Sequence, residues 1–536
     1  MVDRVIALSG QIYSGKTALA RGLEQRHGIP VFKTKEALKT RLERGGPPDR
    51  RPLQAKGAAL DKETGGRWVV QELLRWLREA DRGPCVAVDA VRIEGQVRGL
   101  REAFGSKVVH IHLTAPPTIL EQRFNRRRQR EKDRDLTYQQ ATADPTEQQV
   151  ESLAGIADAV IDTARCTEED VLARAESLIR AHPQKGLGYV DVVVGGQFGS
   201  EGKGQIVSYI AREYDLLVRV GGPNAGHKVF GDPPFTHHQL PSGTLFNRDA
   251  RLLIGPGAVL NVPKLLEEIA RCDVDAARLT IDRKAMIIEP QDIRREEKLK
   301  RDIGSTGSGT GAATSRRIMG RNVATRLAGD TPELRPYLGD AFRVLEDAYL
   351  NGKRVLLEGT QGTGLSIYHG YYPYVTSRDT TAGGCLAEAG IPPNWVRRVL
   401  MVVRTYPIRV QSPKGGTSGP LNEIGWAEVS RRSGIPVAWL RKHEKTSTTG
   451  RRRRVGEFDW VLLRRATLLN GATDIALTFT DYLDKSNQGA VRFDQLKPET
   501  IRFVDEVARV AGIPVSMVAV GFSHRSVIDR RNWEGA

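Results

Sequence analysis

The chain has 536 residues, of which 40% are apolar, and it carries a formal net charge of +17. This length suits two or three globular domains, and the composition is not that of a disordered chain. No run of about 18 apolar residues is present, so we expect no membrane span. The first residues enter an apolar run without the basic lead of a signal peptide. The four cysteines show neither metal-ligand spacing nor a disulfide framework, and we expect a soluble cytoplasmic protein.

The positive charge has two explanations. Basic proteins often bind nucleic acid, but a site for several phosphorylated ligands also needs many cations. Much of the excess consists of arginines such as those at 126–130, and no basic stretch interleaved with aromatic residues is present. We therefore expect phosphorylated small molecules as partners, with nucleic acid as the alternative.

The first third of the chain alternates short apolar runs with amphipathic stretches. The runs at 5–8, 85–89 and 108–113 predict buried parallel strands with helices between them. This pattern predicts an α/β fold.

A helix-like stretch at 167–181 gives way to HPQKGLG at 182–188, which is rich in turn-forming residues. A new strand is predicted at 189–196. We therefore predict two domains, at 1–183 and 189–536.

A phosphate-binding motif follows the first predicted strand. The segment GQIYSGKT at 10–17 matches G-x-x-x-x-G-K-[ST] and precedes a helical run. In this context backbone amides can surround a β-phosphate, Lys16 can reach the β- and γ-oxygens, and Thr17 can ligate Mg²⁺. The predicted nucleotide-binding residues are Gly10, Ser14, Gly15, Lys16 and Thr17.

The rest of the first domain resembles small nucleotide kinases of the P-loop class. Asp89, at the end of a predicted strand, is placed like the carboxylate that holds magnesium or the acceptor. The stretch at 119–135 looks like their arginine-bearing lid, and 156–163 resembles their last strand. The lid candidates are Arg123, Arg127 and Arg130. The resemblance implies a P-loop α/β fold, either as a nucleotide kinase or as a nucleotide-binding or scaffold domain without catalysis.

Six further motifs occur in the second half. They are GGQFGSEGKGQ (195–205), NAGHK (224–228), IGSTGSGTG (303–311), EGTQGTGLS (358–366), YPYVTSRDTTAGG (372–384) and TTGRRRRVG (448–456). In this order they resemble the adenylosuccinate synthetase family, in its shorter, archaeal-like form. The resemblance implies an α/β domain around a large central sheet. It also implies a magnesium-dependent ligase of purine biosynthesis that joins L-aspartate to C6 of a 6-oxopurine nucleoside monophosphate, with hydrolysis of GTP or ATP.

The chemistry explains the residue types. The 6-oxygen of a purine is a poor leaving group, so it is first phosphorylated, and the amine of aspartate then displaces phosphate. Such a transfer needs positioned donors and a metal ion. The loop GSEGKG follows a strand and should open a helix, so its amides and Lys203 can hold a phosphate. Lys203 is a predicted catalytic residue, and the predicted nucleotide-binding residues of this loop are Gly199, Glu201, Gly202, Gly204 and Gln205.

Further roles come from the resemblance alone. His227 corresponds to the general acid beside the β–γ bridge, and Gln361 to the glutamine that binds the region of the 6-oxygen. The carbonyl of Gly226 corresponds to a magnesium ligand. The residues implied to contact the nucleotide are Asn224, Ala225, Lys228, Thr306 and Thr376.

The loop at 448–456 suits aspartate, because guanidinium groups bind carboxylates in a bidentate manner. Arg451 and Arg453 are the best matches to the aspartate-binding arginines, and a solvated basic patch is the alternative. The predicted aspartate site also includes Thr448, Thr449 and Gly450.

The sequence departs from the family at Ser200, where the family has the aspartate that removes the N1 proton and ligates magnesium. A serine hydroxyl is not an effective general base near pH 7, and the adjacent Glu201 is present in the family as well. One explanation is an impaired site, which would make the chain a nucleotide-sensing regulator. The other resembles the phage-type enzymes that make 2-aminoadenylosuccinate from dGMP, in which a small residue at this position leaves room for the 2-amino group. Ser200 stays a candidate for the catalytic and the metal site.

Other positions bear on the sugar and on subunit contacts. Arg451 and Val410 match positions associated with ribose recognition, which argues against a deoxyribose. Arg321 lies beside the aligned position of an arginine that reaches a neighbouring subunit. We therefore expect a homodimer.

The sequence is compatible with either guanine or adenine as the base of the triphosphate. The guanine-reading T-K-x-D of the family is here TFTD at 478–481, where Asp481 can accept the donors of guanine but the lysine is missing. The terminal signature of the family begins at Gly521 and is also altered. GTP and ATP both stay candidates.

Overall fold

The structure is a computed structural model that describes residues 2–41, 50–128, 137–143, 145–164, 166–179, 189–231, 233–321, 325–412, 417–446 and 450–531. The chain divides into two compact units, Met1–His182 and Pro183–Ala536. Among the helices within the described ranges, none is both long and apolar enough to span a membrane.

The first unit alternates strands with helices. Its strands are β1 (Arg4–Gly10), β2 (Val31–Lys33), β3 (Cys85–Asp89), β4 (Val108–Thr114) and β5 (Ala159–Asp162). Its helices are α1 (Lys16–His27), α2 (Thr34–Arg41), α3 (Arg50–Thr64), α4 (Trp68–Glu79), α5 (Glu94–Phe104), α6 (Pro117–Arg128), α7 (Tyr138–Thr142), α8 (Pro145–Ser152) and α9 (Glu168–Ile179). The strands form one parallel sheet in the order β2-β3-β1-β4-β5, which confirms the predicted strands.

Both faces of this sheet are covered, which explains why its strands read as continuous apolar runs. Alternate side chains of β1 enter two different cores. Val5 and Ala7 pack in the core that includes Trp68. Ile6 and Leu8 pack in the core that includes Leu23.

The second unit is built around a larger sheet. Its strands are β6 (Val190–Gly195), β7 (Leu216–Arg219), β8 (His227–Val229), β9 (Phe235–His237), β10 (Arg251–Ile254), β11 (Val259–Leu260), β12 (Leu279–Asp282), β13 (Met286–Ile287), β14 (Leu338–Gly339), β15 (Val355–Glu358), β16 (Val396–Arg404), β17 (Ile408–Val410), β18 (Arg453–Val455), β19 (Asp474–Thr478), β20 (Val515–Ala519) and β21 (Val527–Asp529). Its helices are α10 (Lys203–Ile210), α11 (Val262–Arg271), α12 (Pro290–Asp302), α13 (Thr310–Met319), α14 (Ala341–Leu350), α15 (Ala382–Ala389), α16 (Trp426–Ser433), α17 (Val437–His443), α18 (Trp460–Asn470) and α19 (Pro498–Ala511).

Ten strands form the central sheet in the order β14-β12-β10-β7-β15-β6-β16-β19-β20-β21. The ladder is parallel except for the antiparallel pair β20–β21 at one edge. The prediction of an α/β fold with a large central sheet is confirmed. Smaller pairs lie outside this sheet, among them β8–β9 and β17–β18.

The three strands β15, β6 and β16 lie side by side and position the site. Alternate side chains of β6 enter opposite cores, with Val192 on one side and Val193 on the other. Because the three strands are parallel, the loops that follow them meet at one edge of the sheet, where ligands bind in open α/β sheets. The approach is close, since a Cβ on Gly195 would lie only 2.5 Å from the carbonyl oxygen of Gln361.

Candidate active site

The loop between β6 and α10 surrounds one buried carboxylate. Oε1 of Glu201 accepts hydrogen bonds from the backbone amides of Gln197 at 3.1 Å and Gly199 at 2.7 Å. Its Oε2 accepts from Nζ of Lys203 at 2.8 Å, and both side chains are 1% exposed. Because both of its oxygens are engaged, Glu201 fixes the loop. It is not placed to replace the general base that the family has at the position of Ser200.

The helix α10 begins directly after this loop and connects it to two other parts of the site. Gly202, at the start of the helix, has a φ of 94°, a conformation that favours glycine. A Cβ on Gly204 would lie 3.1 Å from Cβ of His227, so the helix packs directly on that histidine. Nε2 of Gln205 donates to the carbonyl of Gly521 at 2.8 Å. These predicted residues therefore lie together.

The imidazole of His227 contacts the carboxylate of Glu358 through Nδ1. Its Nδ1 lies 2.5 Å from Oε1 of Glu358, and Nη1 of Arg219 lies 2.7 Å from the same oxygen. The amide and the hydroxyl of Ser242 donate to Glu358 at 2.7 and 2.5 Å. Nε2 of His227 is buried and has no hydrogen-bond partner among the described residues. One ring nitrogen is therefore fixed by the carboxylate, and the other is left for a ligand to engage.

The electrostatics of this pair favour a neutral imidazole. Burial and the charge of Arg219 together lower the pKa of His227 to about 3, although Glu358 opposes both. Burial alone would raise the pKa of Glu358, but Arg219, His227 and Ser242 hold it below its ordinary value. An anionic polyphosphate beside Nε2 would raise the pKa of His227, because a nearby opposite charge favours the protonated form.

Gln361 lies beside the phosphate loop, just after β15. A Cβ on Gly199 would lie 3.1 Å from Cα of Gln361, whose φ of 55° is unusual for a residue other than glycine. Its Oε1 accepts a hydrogen bond from Oγ1 of Thr360 at 2.6 Å. The Thr360 hydroxyl oxygen in turn accepts from Nη1 of Arg378 at 2.6 Å. Nε2 of Gln361 is buried without a partner in the described part of the chain. An amide nitrogen is a hydrogen-bond donor, so this group suits a ligand oxygen.

Two residues predicted to bind the nucleoside monophosphate come together. Nδ2 of Asn224 donates to Oγ1 of Thr376 at 3.4 Å, and Oδ1 of Asn224 is buried with no partner among the described residues. Ala225 is buried as well. Lys228 is exposed, with its Nζ 4.7 Å from the centre of the Phe230 ring. The structure therefore joins Asn224 to Thr376 and leaves Lys228 at the surface.

Arg451 connects the arginine-rich segment at 448–456, called the arginine loop below, to the loop that contains Thr306. Nη1 of Arg451 donates to the carbonyls of Gly304 at 3.0 Å and Ser305 at 3.3 Å. A Cβ on Gly304 would lie 3.8 Å from Cγ1 of Val410. Three predicted residues, Thr306, Arg451 and Val410, therefore belong to one neighbourhood.

Arg453 has a different environment. Its Nη1 donates to Oε2 of Glu444 at 2.7 Å. Oε1 of Glu444 accepts from Nη2 of Arg404 and from the hydroxyl of Tyr482, both at 2.8 Å. Burial alone would raise the pKa of Glu444, but Arg404 and Arg453 lower it to about 2. A buried carboxylate thus holds the predicted aspartate-binding arginine.

Some predicted residues fall at the limits of what the structure describes. Thr448, Thr449 and Arg130 lie outside the described residues, as does the side chain of Arg127. Gly450 has a φ of 64°. Arg321 is exposed, shortly after the end of α13.

The region predicted to read the triphosphate base contains a buried carboxyl. Asp481 is 1% exposed, and its Oδ2 accepts from Nε2 of Gln488 at 3.3 Å. Its Oδ1 is buried and unpaired within the described ranges, and burial raises the pKa of Asp481 to about 6. Phe479, which replaces the lysine of the family, has a φ of 58° and lies 4.1 Å beneath the guanidinium of Arg404 and 5.4 Å from the ring of Phe522. A carboxylate oxygen and aromatic rings suit a purine base.

The first unit has its own phosphate loop. Nζ of Lys16 donates to the carbonyls of Gly10 at 2.7 Å and Gln11 at 2.8 Å. Gly10 and Gly15 have φ values of 138° and 102°. Ser14 is buried, and its hydroxyl has no hydrogen-bond partner among the described residues. The loop therefore has the glycine conformations that a phosphate-binding loop requires.

Two further predicted residues flank this loop. Oγ1 of Thr17 donates to Oδ2 of Asp89 at 3.3 Å, so the predicted magnesium ligand Thr17 lies beside the carboxylate predicted to hold magnesium or the acceptor. Arg123 donates through Nη1 to Oγ1 of Thr163 at 2.9 Å and also to the carbonyl of Tyr13 at 3.3 Å. This lid candidate therefore contacts the phosphate loop.

The family model of adenylosuccinate synthetase matches residues 192–328 and 322–491. The adenylosuccinate synthetase of Methanocaldococcus jannaschii is 39% identical over 350 residues, which are 64% of this chain and 96% of that protein. The chain belongs to the adenylosuccinate synthetase family. The family assignment made from the six motifs is confirmed, and the second unit is a carbon–nitrogen ligase by that membership.

Two solved structures share the fold of the synthetase unit. One is a succinoaminodeoxyadenylate synthetase of cyanophage S-2L, bound to dGMP and to dATP as an energy donor. It is 27% identical with a TM-score of 0.54, and the match covers 65% of this chain and 98% of that one. The other is a fully ligated adenylosuccinate synthetase of Plasmodium falciparum, 22% identical with a TM-score of 0.56, where the match covers 64% and 100%.

The synthetase site contains charged residues that sequence reasoning gave no role. They are Arg219, Glu358, Arg404 and Glu444. The first three share a signal, since each is the last residue of its strand, β7, β15 or β16, and directly follows a run of apolar residues. A charge at the carboxyl end of a buried parallel strand points to the edge where ligands bind. Glu444 follows α17 and shows no comparable signal.

Proposed function

We propose that the synthetase unit joins L-aspartate to C6 of a guanine nucleoside monophosphate, with hydrolysis of GTP or ATP. The observation that carries the proposal is Ser200, at the position of the catalytic aspartate, next to a Glu201 whose oxygens both serve the loop. A neutral hydroxyl leaves room for a 2-amino group and can accept a hydrogen bond from it, an interaction that IMP cannot offer. The cyanophage relative was solved with dGMP bound.

The reaction has two steps in this proposal. The 6-oxygen attacks the γ-phosphorus while the N1 proton passes to water, so that an O6–P bond forms and the bond between the β–γ bridging oxygen and the γ-phosphorus breaks. The amine of aspartate then attacks C6, and the C6–O bond breaks with release of phosphate. Lys203 and the loop amides balance the phosphate charge, Nε2 of His227 faces the bridge, and Nε2 of Gln361 donates to the 6-oxygen.

Mg²⁺ supplies charge neutralisation on the phosphate oxygens in such transfers. In the synthetase unit, its protein ligands would be neutral oxygens, the hydroxyl of Ser200 and the carbonyl of Gly226. Within the described residues, no group of three or more His, Cys, Asp or Glu side chains could hold a metal ion. These neutral ligands fit an ion that is held jointly with the nucleotide, because Mg²⁺ accepts phosphate oxygens and water as its remaining ligands.

The test is aspartate-dependent phosphate release by the full chain. IMP, dIMP, GMP and dGMP are each offered with GTP or ATP. We expect turnover with GMP or dGMP, and the ratio of these two reports the preference for the sugar. Turnover with IMP or dIMP but neither guanine nucleotide would overturn the guanine proposal while leaving the ligase assignment intact.

We also propose that the first unit transfers a phosphoryl group from MgATP to a nucleoside monophosphate. The supporting observation is the Thr17–Asp89 contact of 3.3 Å beside Lys16, because a hydroxyl and a carboxylate at this position suit Mg²⁺. The Lys16→Ala variant should lose phosphoryl transfer from ATP to added monophosphates while it keeps aspartate-dependent phosphate release. No transfer by the unaltered chain to any monophosphate would instead indicate a binding domain.

We propose a homodimer in which Arg321 reaches the nucleotide of the neighbouring subunit. Supporting this, α13 ends with two exposed apolar side chains, Ile318 at 58% and Met319 at 81%, which a partner would cover. Arg321→Ala and Lys203→Ala variants should each be inactive alone and regain activity when mixed, because a mixed dimer contains one intact site. No recovery on mixing under exchange conditions would contradict a shared site.

A further inference from the structure

Glu444 joins two arginines from different parts of the synthetase unit. Its Oε1 accepts from Nη2 of Arg404 at 2.8 Å, and its Oε2 accepts from Nη1 of Arg453 at 2.7 Å. The Glu444 side chain is 0% exposed. Arg404 ends β16, whereas Arg453 begins β18 in the arginine loop. A single buried carboxylate therefore fixes both guanidinium groups.

This contact leaves one edge of Arg453 for a second carboxylate. Glu444 occupies Nη1, while Nε of Arg453 is buried without a hydrogen-bond partner in the described part of the chain. A guanidinium binds a carboxylate best through two nitrogens at once, and Nε with Nη2 forms such a pair. The Arg453 side chain as a whole is 15% exposed, while its Nε is buried. Glu444 thus orients the Nε edge rather than competing for it.

Arg404, the second arginine held by Glu444, contacts the loop that carries Ser200. Nη1 of Arg404 donates to the backbone carbonyl of Ser200 at 3.2 Å. The guanidinium of Arg404 also lies 4.1 Å from the centre of the Phe479 ring, which limits its movement. The arginine predicted to bind aspartate and the loop that carries Ser200 therefore share one anchor.

We propose that Glu444 is a positioning residue, which sets the Nε edge of Arg453 for L-aspartate and aligns it with the Ser200 loop through Arg404. The inference rests on the proposed ligase function. Without the negative charge of Glu444, the guanidinium groups of Arg404 and Arg453 would lose their shared counter-ion, and Arg453 would turn away from this position. Aspartate binding should therefore suffer more than nucleotide binding.

The experiment compares Glu444→Gln with a matched surface variant. The amide keeps the shape of the side chain but removes the charge, so we expect KM for L-aspartate to rise about tenfold or more while KM for either nucleotide changes by less than about twofold. Glu428→Gln is the control, because Glu428 also bridges two arginines, Arg431 and Arg432, at the exposed surface of α16. This control should leave all three KM values unchanged.

A second variant and a binding measurement keep the test decisive. If Glu444→Gln does not fold, Glu444→Asp keeps the charge but shortens the reach, and it should still raise KM for aspartate selectively. Titration of L-aspartate into the full chain with GMP and a non-hydrolysable triphosphate measures binding without turnover, so it separates this inference from failure of the proposed reaction. An unchanged aspartate affinity in the variants, or equal loss for all three substrates, would overturn the inference. Absence of aspartate binding to the unaltered chain would overturn it too.

Discussion

Nδ1 of His227 lies 2.5 Å from Oε1 of Glu358, and the two side chains are 5% and 1% exposed. Because a carboxylate can only accept, this contact favours the tautomer with its proton on Nδ1, in which Nε2 has no proton until the ligand brings one, whereas Nη1 of Arg219, 2.8 Å from Nδ1, favours the other tautomer. The pair is separated by 131 residues in sequence and is formed at the edge where β15 and β7 lie side by side.

The first prediction follows from this pair. Glu358→Gln should lower kcat by a factor on the order of 10²–10⁴, because an amide does not hold the imidazole in the required tautomer. Steady-state kinetics in the coupled assay measure the loss, and KM for the nucleotides should change little. A kcat within about threefold of the unaltered enzyme would argue that Glu358 has only a structural role.

The second prediction concerns the stability of the phosphate loop. Glu201→Gln should lower the free energy of unfolding of the synthetase unit by about 3–5 kcal/mol, because it leaves the ammonium of Lys203 buried without its counter-ion. Denaturant unfolding followed by tryptophan fluorescence measures this change. Glu499→Gln at the exposed end of α19 serves as the control and should have no measurable effect. Equal stability of the two variants would mean that the Glu201–Lys203 pair is not needed for the fold.

The third prediction concerns the substrate. Ser200→Asp introduces the acid of the family and should shift the ratio of kcat/KM toward IMP and away from the guanine nucleotides, by roughly 10²-fold. Ser200→Ala removes the hydroxyl without adding charge, so it should weaken the guanine nucleotides without activating IMP. If Ser200→Asp leaves the ratio unchanged, Ser200 does not select the substrate.

The fourth prediction concerns pH and the triphosphate base. Burial raises the pKa of Asp481 from its ordinary 3.8 to about 6, so the carboxyl takes up a proton as the pH falls through about 6. The ionised form accepts N1–H and the 2-amino group of guanine, and the protonated form can donate to N1 of adenine. Below about pH 6, the affinity for GTP should therefore decrease with falling pH, with a limiting slope of roughly tenfold per pH unit. The affinity for ATP should not decrease in this range. Equilibrium binding between pH 5 and 8 measures both.

Asp481→Asn provides the matched control for this experiment. An amide does not titrate in this range, so the pH dependence of GTP binding should disappear. A GTP affinity that falls equally in both proteins would assign the effect to another group.

Asp481 also affects the free energy of unfolding of the unliganded enzyme. This pH dependence is opposite to that of GTP binding. Because its pKa is higher in the folded state, stability should increase as the pH falls from about 6 toward 3.8.

Much of the fold follows from local patterns in the sequence. The apolar run at 5–8 and the glycine loop after it predict β1 and α1, since a strand covered on both faces needs no polar alternation. In the second unit, β6 and the start of α10 follow from the same pattern around GSEGKG. The residue types of the phosphate loops could be predicted because backbone amides and lysine suffice to hold phosphate.

The contacts across the site could not be predicted in this way. Arg453 is recognisable as a carboxylate-binding arginine, but nothing local indicates that Glu444 already occupies one of its nitrogens. In the same manner, nothing local in the sequence indicates that both oxygens of Glu201 are engaged by its own loop and by Lys203. Such pairs depend on which strand ends are neighbours, and that order is a property of the whole sheet.

The hydrogen bond from Gln205 to the carbonyl of Gly521 spans 316 positions of the chain. During synthesis from the N-terminus, the phosphate loop is therefore made long before the strand that completes its surroundings. A chain that stops short of β20 would contain all six motifs, yet its nucleotide site would lack this support. Nucleotide affinity should thus appear late in refolding, after most helical structure has formed, because contacts of such long range are among the slowest to form.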